Sequence, residues 1–131
     1  MERGDVFHTS VLLPDRANPG GPPVPTPKFV VVLRGGPRTV SEREVPVVVA
    51  STDRRQLGQP LRPFEVSVGQ AEGFAHETIL DCRWPYTLEK SYFQTRSFRF
   101  RLGTAKMDEV SVAIVSGLQM YAPRAPETTA G

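Results

Sequence analysis

Two valine-rich stretches dominate the middle of the chain: KFVVVLRGG at residues 28–36 and PVVVAST at residues 46–52. β-Branched side chains lose less conformational freedom in a pleated sheet than in a helix, so both stretches predict central strands. Each predicted strand carries a polar group at one end, since Lys28 begins the first while Ser51 and Thr52 end the second. The pattern can therefore place a cation and a hydroxyl side by side.

Shorter segments around these two stretches also predict strands. Alternating or wholly apolar runs bounded by turn residues are typical of short strands. The predicted strands cover residues 4–13, 28–34, 45–51, 64–68, 77–81 and 98–102. In the last segment, alternation predicts an edge strand with Phe98, Phe100 and Leu102 on one face and Arg99 and Arg101 on the other.

Three other segments predict a loop, a short helical turn and a helix. Residues 14–27 contain six prolines and two glycines, which remove amide donors and favour turns, so a long loop is predicted. Pro85 is expected to keep Trp84 extended and to begin a short helical turn. A 3.6-residue period predicts an amphipathic C-terminal helix with Met107, Val110, Ala113, Ile114, Gly117, Leu118 and Tyr121 on its apolar face.

These elements predict a mainly β fold of the α+β class. Five or six short strands followed by one amphipathic helix indicate a small twisted antiparallel barrel or half-barrel. The chain of 131 residues is long enough for one domain. We expect that domain over residues 1–121, followed by a flexible tail at residues 122–131.

Composition restricts the class of protein. No apolar stretch approaches the roughly 20 residues that cross a bilayer, and the start, MERGD, lacks the apolar core of a secretory signal. A cytoplasmic protein without membrane contact is therefore expected. The single cysteine, Cys82, and two distant histidines predict neither an internal disulfide nor a zinc site. A net charge of +2, mostly from arginine, favours phosphate-rich partners, although a GC-rich genome would produce the same bias.

The familiar catalytic motifs are missing from the sequence, which contains no P-loop, GxSxG elbow, HExxH or strand-linked GxGxxG. A two-histidine ribonuclease site would use His8, His76 and Lys28, but nothing in their spacing brings them together, so an ordinary half-buried His8 is favoured. For Cys82, an apolar neighbour such as Leu80 predicts a raised pKa and an unreactive thiol.

The order of five segments resembles the PemK/MazF family of toxins from bacterial toxin–antitoxin pairs. The resemblance covers residues 2 to about 120 and rests on RGDVF, KFVVVL, VVVAST, ETILDCRWPYTLEK and LGTAKMDEVSVAIVSGL. It implies an SH3-like barrel, a homodimer and no cofactor. It also implies a metal-independent endoribonuclease that cuts single-stranded RNA to 2′,3′-cyclic phosphate and 5′-OH ends, and that a cognate antitoxin neutralises.

The resemblance also assigns two catalytic positions. The family begins its second strand with Arg-Pro, where this chain has Lys28 and Phe29, and its threonine at the end of the third strand matches Thr52. Lys28 is then expected to act on the phosphate and the leaving oxygen, and Thr52 to orient the 2′-OH or a phosphate oxygen. Lysine lacks the bidentate fork of arginine, so candidates for the missing guanidinium are Arg34, Arg38, Arg54 and Arg55.

Other expected RNA contacts follow from position. The predicted RNA-binding residues are Arg16, Arg34, Ser51, Arg54 and Arg55. Trp84 and Tyr86 are candidates to stack on a base, although aromatic residues beside a proline are more often part of a core. Two alternatives stay open: a catalytically impaired barrel that only binds nucleic acid or protein, and a toxin of similar fold that poisons a topoisomerase.

Overall fold

The structure is a computed structural model that describes residues 1–15, 17–35, 43–51 and 60–121, with Ser51, Met120 and Tyr121 described by their backbone. Several positions singled out from the sequence lie outside the described residues: Arg16, Arg38, Thr52, Arg54, Arg55 and the predicted tail at 122–131. The described strands are β1 (Asp5–Leu13), β2 (Val24–Val32), β3 (Glu44–Ser51), β4 (Glu65–Val68), β5 (Thr78–Asp81), β6 (Tyr86–Glu89) and β7 (Phe98–Arg101). The helix α1 spans Thr104–Tyr121.

All described strand pairs are antiparallel. The strands follow one another across the sheet in the order β4-β5-β3-β2-β1-β7, and β6 also pairs with β3. Among the described residues no pairing joins β4 to β7, so the sheet is open rather than a closed barrel. The prediction of a mainly antiparallel β fold with one C-terminal helix is confirmed. No helix in the described part of the chain is long and apolar enough to cross a membrane.

The valine runs are buried on both faces of the sheet, which explains why they are continuous rather than alternating. Val31 and Val48 pack in a first cluster with Met107 and Val110 of α1. Val30 belongs to a second cluster on the other face, with Phe7 and Val47 among others, and the partly buried Phe93 packs against it. Each fully buried valine contributes roughly 1.5–3 kcal/mol, so these two layers hold the sheet together.

The loop predicted over residues 14–27 is shorter than expected, because β2 begins at Val24. Pro25 and Pro27 pair with Leu12 and Ser10 of β1. Among the described residues β3 pairs with β2 only at residues 30–32, so no described strand lies along the second edge of β2 at these prolines, where an amide donor is not required.

The helical turn predicted at Pro85 is also wrong, because residues 86–89 form β6 beside β3. The next helical turn after Pro85 is a short 3₁₀ turn at Lys90–Tyr92. β5 and β6 pair with the same strand, β3. Leu80 pairs with Ala50 and Tyr86 pairs with Val47, so the five residues 81–85 lie opposite only two residues of β3. The surplus residues bulge outward, and Trp84 and Tyr86 are 53% and 41% exposed. The expectation that these two aromatics belong to the core is therefore wrong.

The predicted single apolar face of β7 is interrupted by a β-bulge. Val6 pairs with Phe100 and Phe7 with Phe98, so Arg99 has no partner of its own on β1. The extra residue turns Phe98 and Phe100 to different surroundings. The Phe98 ring lies 5.6 Å from Phe7, whereas the Phe100 ring lies 4.9 Å from Phe74 in the first cluster.

The helix begins at Thr104, one turn before the first apolar residue of its predicted face. Met107, Val110 and Ala113 are buried as predicted, but Leu118 is 57% exposed. Gly117 lies against the body of the protein: a Cβ there would come within 3.0 Å of Arg83 Cα and 3.3 Å of Phe64 Cβ. Gly117 therefore allows α1 to pack closely against the residues that flank β4 and β5.

Candidate functional site

Lys28 lies in the middle of a strand rather than at its beginning. It is the fifth residue of β2 and pairs with Thr9 of β1. Its side chain is half-buried. Since side chains alternate along a strand, Lys28 shares a face with Val30, which packs in the second cluster, on the side of the sheet away from α1. No described residue forms an ion pair or a hydrogen bond with its ammonium group, so the cation is available to a ligand.

Ser51 lies at the same end of the β2–β3 ladder as Lys28. The last registered pair there is Val30 with Val49, and Lys28 and Ser51 each lie two residues beyond it on their own strands. The backbone of Ser51 also pairs with Ile79 of β5. Thr52, which follows Ser51 in sequence, lies outside the described residues. The backbones of Lys28 and Ser51 thus lie at one end of these two strands.

A cavity of about 640 Å³ is lined by neighbours of Lys28 but not by Lys28 itself, and we call it the β1-edge pocket. Thr9 and Pro27, the cross-strand partner and the chain neighbour of Lys28, both line it. Its other side is formed by the end of β6 and the segment after it, which contribute among others Glu89, Tyr92, Gln94 and Arg96. The lining combines a carboxylate, an amide, a guanidinium, a phenol and the His8 imidazole, so the pocket can donate and accept hydrogen bonds and offers two aromatic rings.

A second cavity, of about 670 Å³, is lined by Arg34, Arg43, Glu44, Pro46, Thr87 and Glu89, and we call it the Arg34 pocket. Glu89 lines both cavities, so the two adjoin at this residue. Arg34 follows the far end of β2, and the strand from Lys28 to Val32 alone spans roughly 13 Å. Arg34 is thus too distant to replace the missing guanidinium at Lys28.

Five residues that line the two cavities were not singled out from the sequence: Arg43, Glu89, Tyr92, Gln94 and Arg96. Their positions in the cavities depend on the pairing of β6 with β3 and on the path of residues 90–97, neither of which is a local property. The one available signal was the density of hydrogen-bonding side chains in EKSYFQTR at residues 89–96.

Of the other candidate nucleophiles and bases, Cys82 and His76 lie outside this site, whereas His8 lines the β1-edge pocket. Cys82 is fully buried, and burial raises the pKa of its thiol from 9.0 to about 12, which confirms the prediction of an unreactive cysteine. The His8 ring lies 4.7 Å from that of Phe29, while His76 lines a separate cavity with Ser67 and Glu77. Within the described ranges, no three His, Cys, Asp or Glu residues are grouped so as to hold a metal ion.

An ion pair near the amino terminus, between the buried Asp5 and the exposed Arg101, is structural. Asp5 is 3% exposed, and its two carboxylate oxygens accept from Arg101 Nε at 2.6 Å and from the Glu2 amide at 2.7 Å. Both oxygens are satisfied by protein donors, and Asp5 lines neither pocket. This pair ties β1 to β7 and leaves no acceptor for chemistry.

Comparison with known proteins gives a fold but no close relative. No family model and no curated protein matches the sequence. Among solved structures, a mycobacterial endoribonuclease in complex with its cognate antitoxin is 16% identical, with a TM-score of 0.64 over 94% of this chain and 99% of that chain. Mycobacterium tuberculosis toxin MazF-mt6 is 13% identical, with a TM-score of 0.60 over 85% of this chain and 96% of that chain.

A third solved structure extends the comparison to another bacterium. MazF in the MazE–MazF complex from Deinococcus radiodurans is 13% identical, with a TM-score of 0.62 over 91% of this chain and 96% of that chain. Since the matches cover most of both chains, the chain has the fold of the MazF toxins over nearly its whole length.

Proposed function

We propose that the chain is a metal-independent endoribonuclease of toxin type that cleaves single-stranded RNA. One observation carries the proposal: Lys28, with no partner among the described residues, lies at the same end of the β2–β3 ladder as Ser51, beside a polar cavity. The likeness of the fold to MazF endoribonucleases supports the same reading. Fold alone does not specify chemistry, so the site must carry the argument.

Cleavage of RNA without a metal requires three events: removal of the 2′-OH proton, stabilisation of charge on the phosphorane and protonation of the departing 5′-oxygen. In the proposed mechanism the Lys28 ammonium holds the phosphate and assists the leaving oxygen. Thr52 orients the 2′-OH or a phosphate oxygen. The 2′-OH gives its proton to solvent as the 2′-oxygen attacks phosphorus. The bond from phosphorus to the 5′-oxygen breaks and that oxygen takes a proton from the Lys28 ammonium, which solvent protonates again. The products are a 2′,3′-cyclic phosphate and a 5′-OH end.

Binding of the flanking RNA is assigned to further basic and polar residues. Arg34 in its pocket contacts a second phosphate, and Arg43, which lines the same cavity, assists it. We include Arg16, Ser51, Arg54 and Arg55 in the proposed RNA contact from their positions in the sequence. Single-stranded RNA fits because its backbone follows a basic groove and its bases are free to leave the stack.

Two protein partners complete the proposal. Two of the structural neighbours are complexes of a toxin with its antitoxin, and this supports a cognate antitoxin for the present chain, which is expected to act in the cytoplasm. We also propose a homodimer, which size-exclusion chromatography with light scattering would detect as twice the chain mass of 14.5 kDa.

The deciding experiment incubates the purified protein with a pool of single-stranded RNA in EDTA, followed by mass spectrometry of the product ends. The variants are Lys28→Ala and Thr52→Ala. Lys106→Ala is the matched control, because this lysine lies on α1 and lines neither pocket. We expect discrete cuts with 2′,3′-cyclic phosphate ends for the wild type and the control, and their loss in the other two variants.

Intact RNA at high protein concentration would refute the enzyme and support the binding module. One observation favours that second candidate: Phe29, at the family's proline position, packs its ring 5.4 Å from Phe74 in the first cluster, so this position serves the core. A binder would retain RNA affinity and show no turnover to lose.

A further inference from the structure

From the chemistry of its lining, we infer that the β1-edge pocket binds one nucleobase of the RNA and selects bases that carry an exocyclic amino group, with Glu89 as the acceptor. The inference rests on the proposed RNA-binding function and names the part of the substrate that this pocket takes. Neither the resemblance nor the structural neighbours assign a ligand to it.

The position of the pocket fits the nucleotide next to the scissile phosphate. Thr9 and Pro27 line it and flank Lys28. A phosphate held by the Lys28 ammonium therefore leaves an adjoining nucleotide above the pocket. The volume of about 640 Å³ lies in the range of small-ligand sites. A base turned out of the strand can enter such a space, as in sequence-specific recognition of single-stranded RNA.

The charges of the pocket favour a base over a second phosphate, because the Glu89 carboxylate offsets the Arg96 guanidinium in the same lining. The carboxylate repels a phosphate and accepts hydrogen bonds from N–H groups. On the neighbouring strand the cross-strand partner of Glu89 is Glu44. Arg34 and Arg43 line a cavity with both carboxylates and offset part of their repulsion, and a ligand that donates N–H groups to Glu89 offsets more of it.

The remaining lining residues suit a base that enters with its amino group towards Glu89. Tyr92 supplies an aromatic ring for stacking, and Gln94 can donate and accept at a second position on the base edge. The side chains of Glu89, Gln94 and Arg96 form no hydrogen bond or ion pair with other described residues. Adenine, cytosine and guanine carry an exocyclic amino group and uracil does not, so the pocket discriminates against uracil.

The test uses ten-nucleotide oligomers of adenylate, cytidylate and uridylate with 2′-O-methyl riboses, which cannot be cleaved. Binding of each to the full chain is measured by fluorescence anisotropy. We expect the wild type to bind the adenine and cytosine oligomers at least about fivefold more tightly than the uracil oligomer, the discrimination of one good base contact. In Glu89→Gln this ratio falls towards one.

The control is Glu77→Gln, which removes the same charge from an exposed residue of a separate cavity and leaves the ratio unchanged. Loss of a negative charge alone strengthens the binding of all three oligomers equally. The ratio of their affinities therefore separates base recognition from general electrostatics. Equal wild-type affinity for the three oligomers, no measurable binding of any of them, or an unchanged ratio in Glu89→Gln would overturn the inference.

The same variants are assayed on cleavable RNA. A ratio that depends on Glu89 without any cleavage would support the base site and refute the ribonuclease. Cleavage with no effect of Glu89 on the ratio or on the bases at the cut sites would do the reverse. The two proposals can therefore fail separately.

Discussion

Thr9 and Lys28 face each other across the β1–β2 ladder, on the side of the sheet opposite α1. The strand fixes the backbone of Lys28, but its flexible stem ends in a single ammonium group. A phosphate held there is contacted by a point charge rather than by two parallel N–H groups. The first mutations to test therefore change the cationic group at position 28.

Lys28→Arg is expected to raise single-turnover cleavage by several-fold, because a guanidinium can donate to two phosphate oxygens at once. Lys28→Ala is expected to lower it by about 10²- to 10³-fold, the usual effect of removing one group that stabilises transition-state charge. Rates are measured on one defined RNA with protein in excess. A Lys28→Ala variant with wild-type rate would remove Lys28 from the mechanism.

The sequence predicted the strands well where burial alone decides them and failed where pairing decides. The runs around Val31, Val48 and Leu80 are strands because both faces are covered, and this is visible as uninterrupted apolar residues. The paired strand containing Pro25 could not be seen, because a proline is tolerated only where one strand edge is free. The bulge at Arg99 could not be seen either, because a single unpaired residue shifts the alternation of β7. Phe98 and Phe100 therefore face different clusters instead of sharing one face.

The site shows the same division. Lys28 was found from its place beside a valine run, but the sequence gives no sign that Glu89 lines one pocket with Thr9, the cross-strand partner of Lys28. That arrangement needs β6 to pair with β3, and the pairing joins residues such as Val45 and Leu88 that are far apart in the chain. Long-range register is a property of the assembled sheet and not of any local stretch.

The two residues of the Asp5–Arg101 pair are expected to differ in how much their replacement by alanine lowers the free energy of unfolding. Asp5→Ala is expected to lower the free energy of unfolding by about 2 kcal/mol, because it removes the acceptor of two hydrogen bonds in a buried position. Arg101→Ala is expected to destabilise more, since it leaves the buried carboxylate with only the Glu2 amide. Urea unfolding of both variants measures the order, and a more stable Arg101→Ala would contradict it.

Cys82 is expected to make stability depend on pH above 9. Its thiol loses a proton at pH 9.0 in its ordinary state and at about 12 in the folded protein. Between these values the unfolded chain has released a proton that the folded chain retains, so the free energy of unfolding falls as pH rises. The contribution of this group falls by up to about 1.4 kcal/mol per pH unit.

The measurement compares wild type with Cys82→Ala, in which all other titrating groups are the same. The stability advantage of the wild type, present below pH 9, is expected to shrink as pH is raised towards 10.5. At pH 8, native Cys82 is expected to resist alkylation by iodoacetamide and to react only in denaturant. Rapid alkylation of the folded protein would show that the thiol is not buried.

Gly117 provides a prediction about the contact between helix and sheet. A Cβ at this position would lie 3.0 Å from Arg83 Cα and 3.3 Å from Phe64 Cβ. Alanine would favour the helix by about 1 kcal/mol, but forcing atoms into a close-packed contact destabilises by about 1–3 kcal/mol. We therefore expect Gly117→Ala to lower the free energy of unfolding by about 1 kcal/mol.

Gly103→Ala is the control, because a Cβ there meets no heavy atom within 4 Å and is expected to change stability by less than about 0.5 kcal/mol. Both variants are compared by urea unfolding at neutral pH. If Gly117→Ala stabilises the protein as an unhindered helical alanine would, α1 does not rest on Arg83 and Phe64 at this point. If only Gly117→Ala lowers the free energy of unfolding, α1 packs closely against Arg83 and Phe64 at this residue.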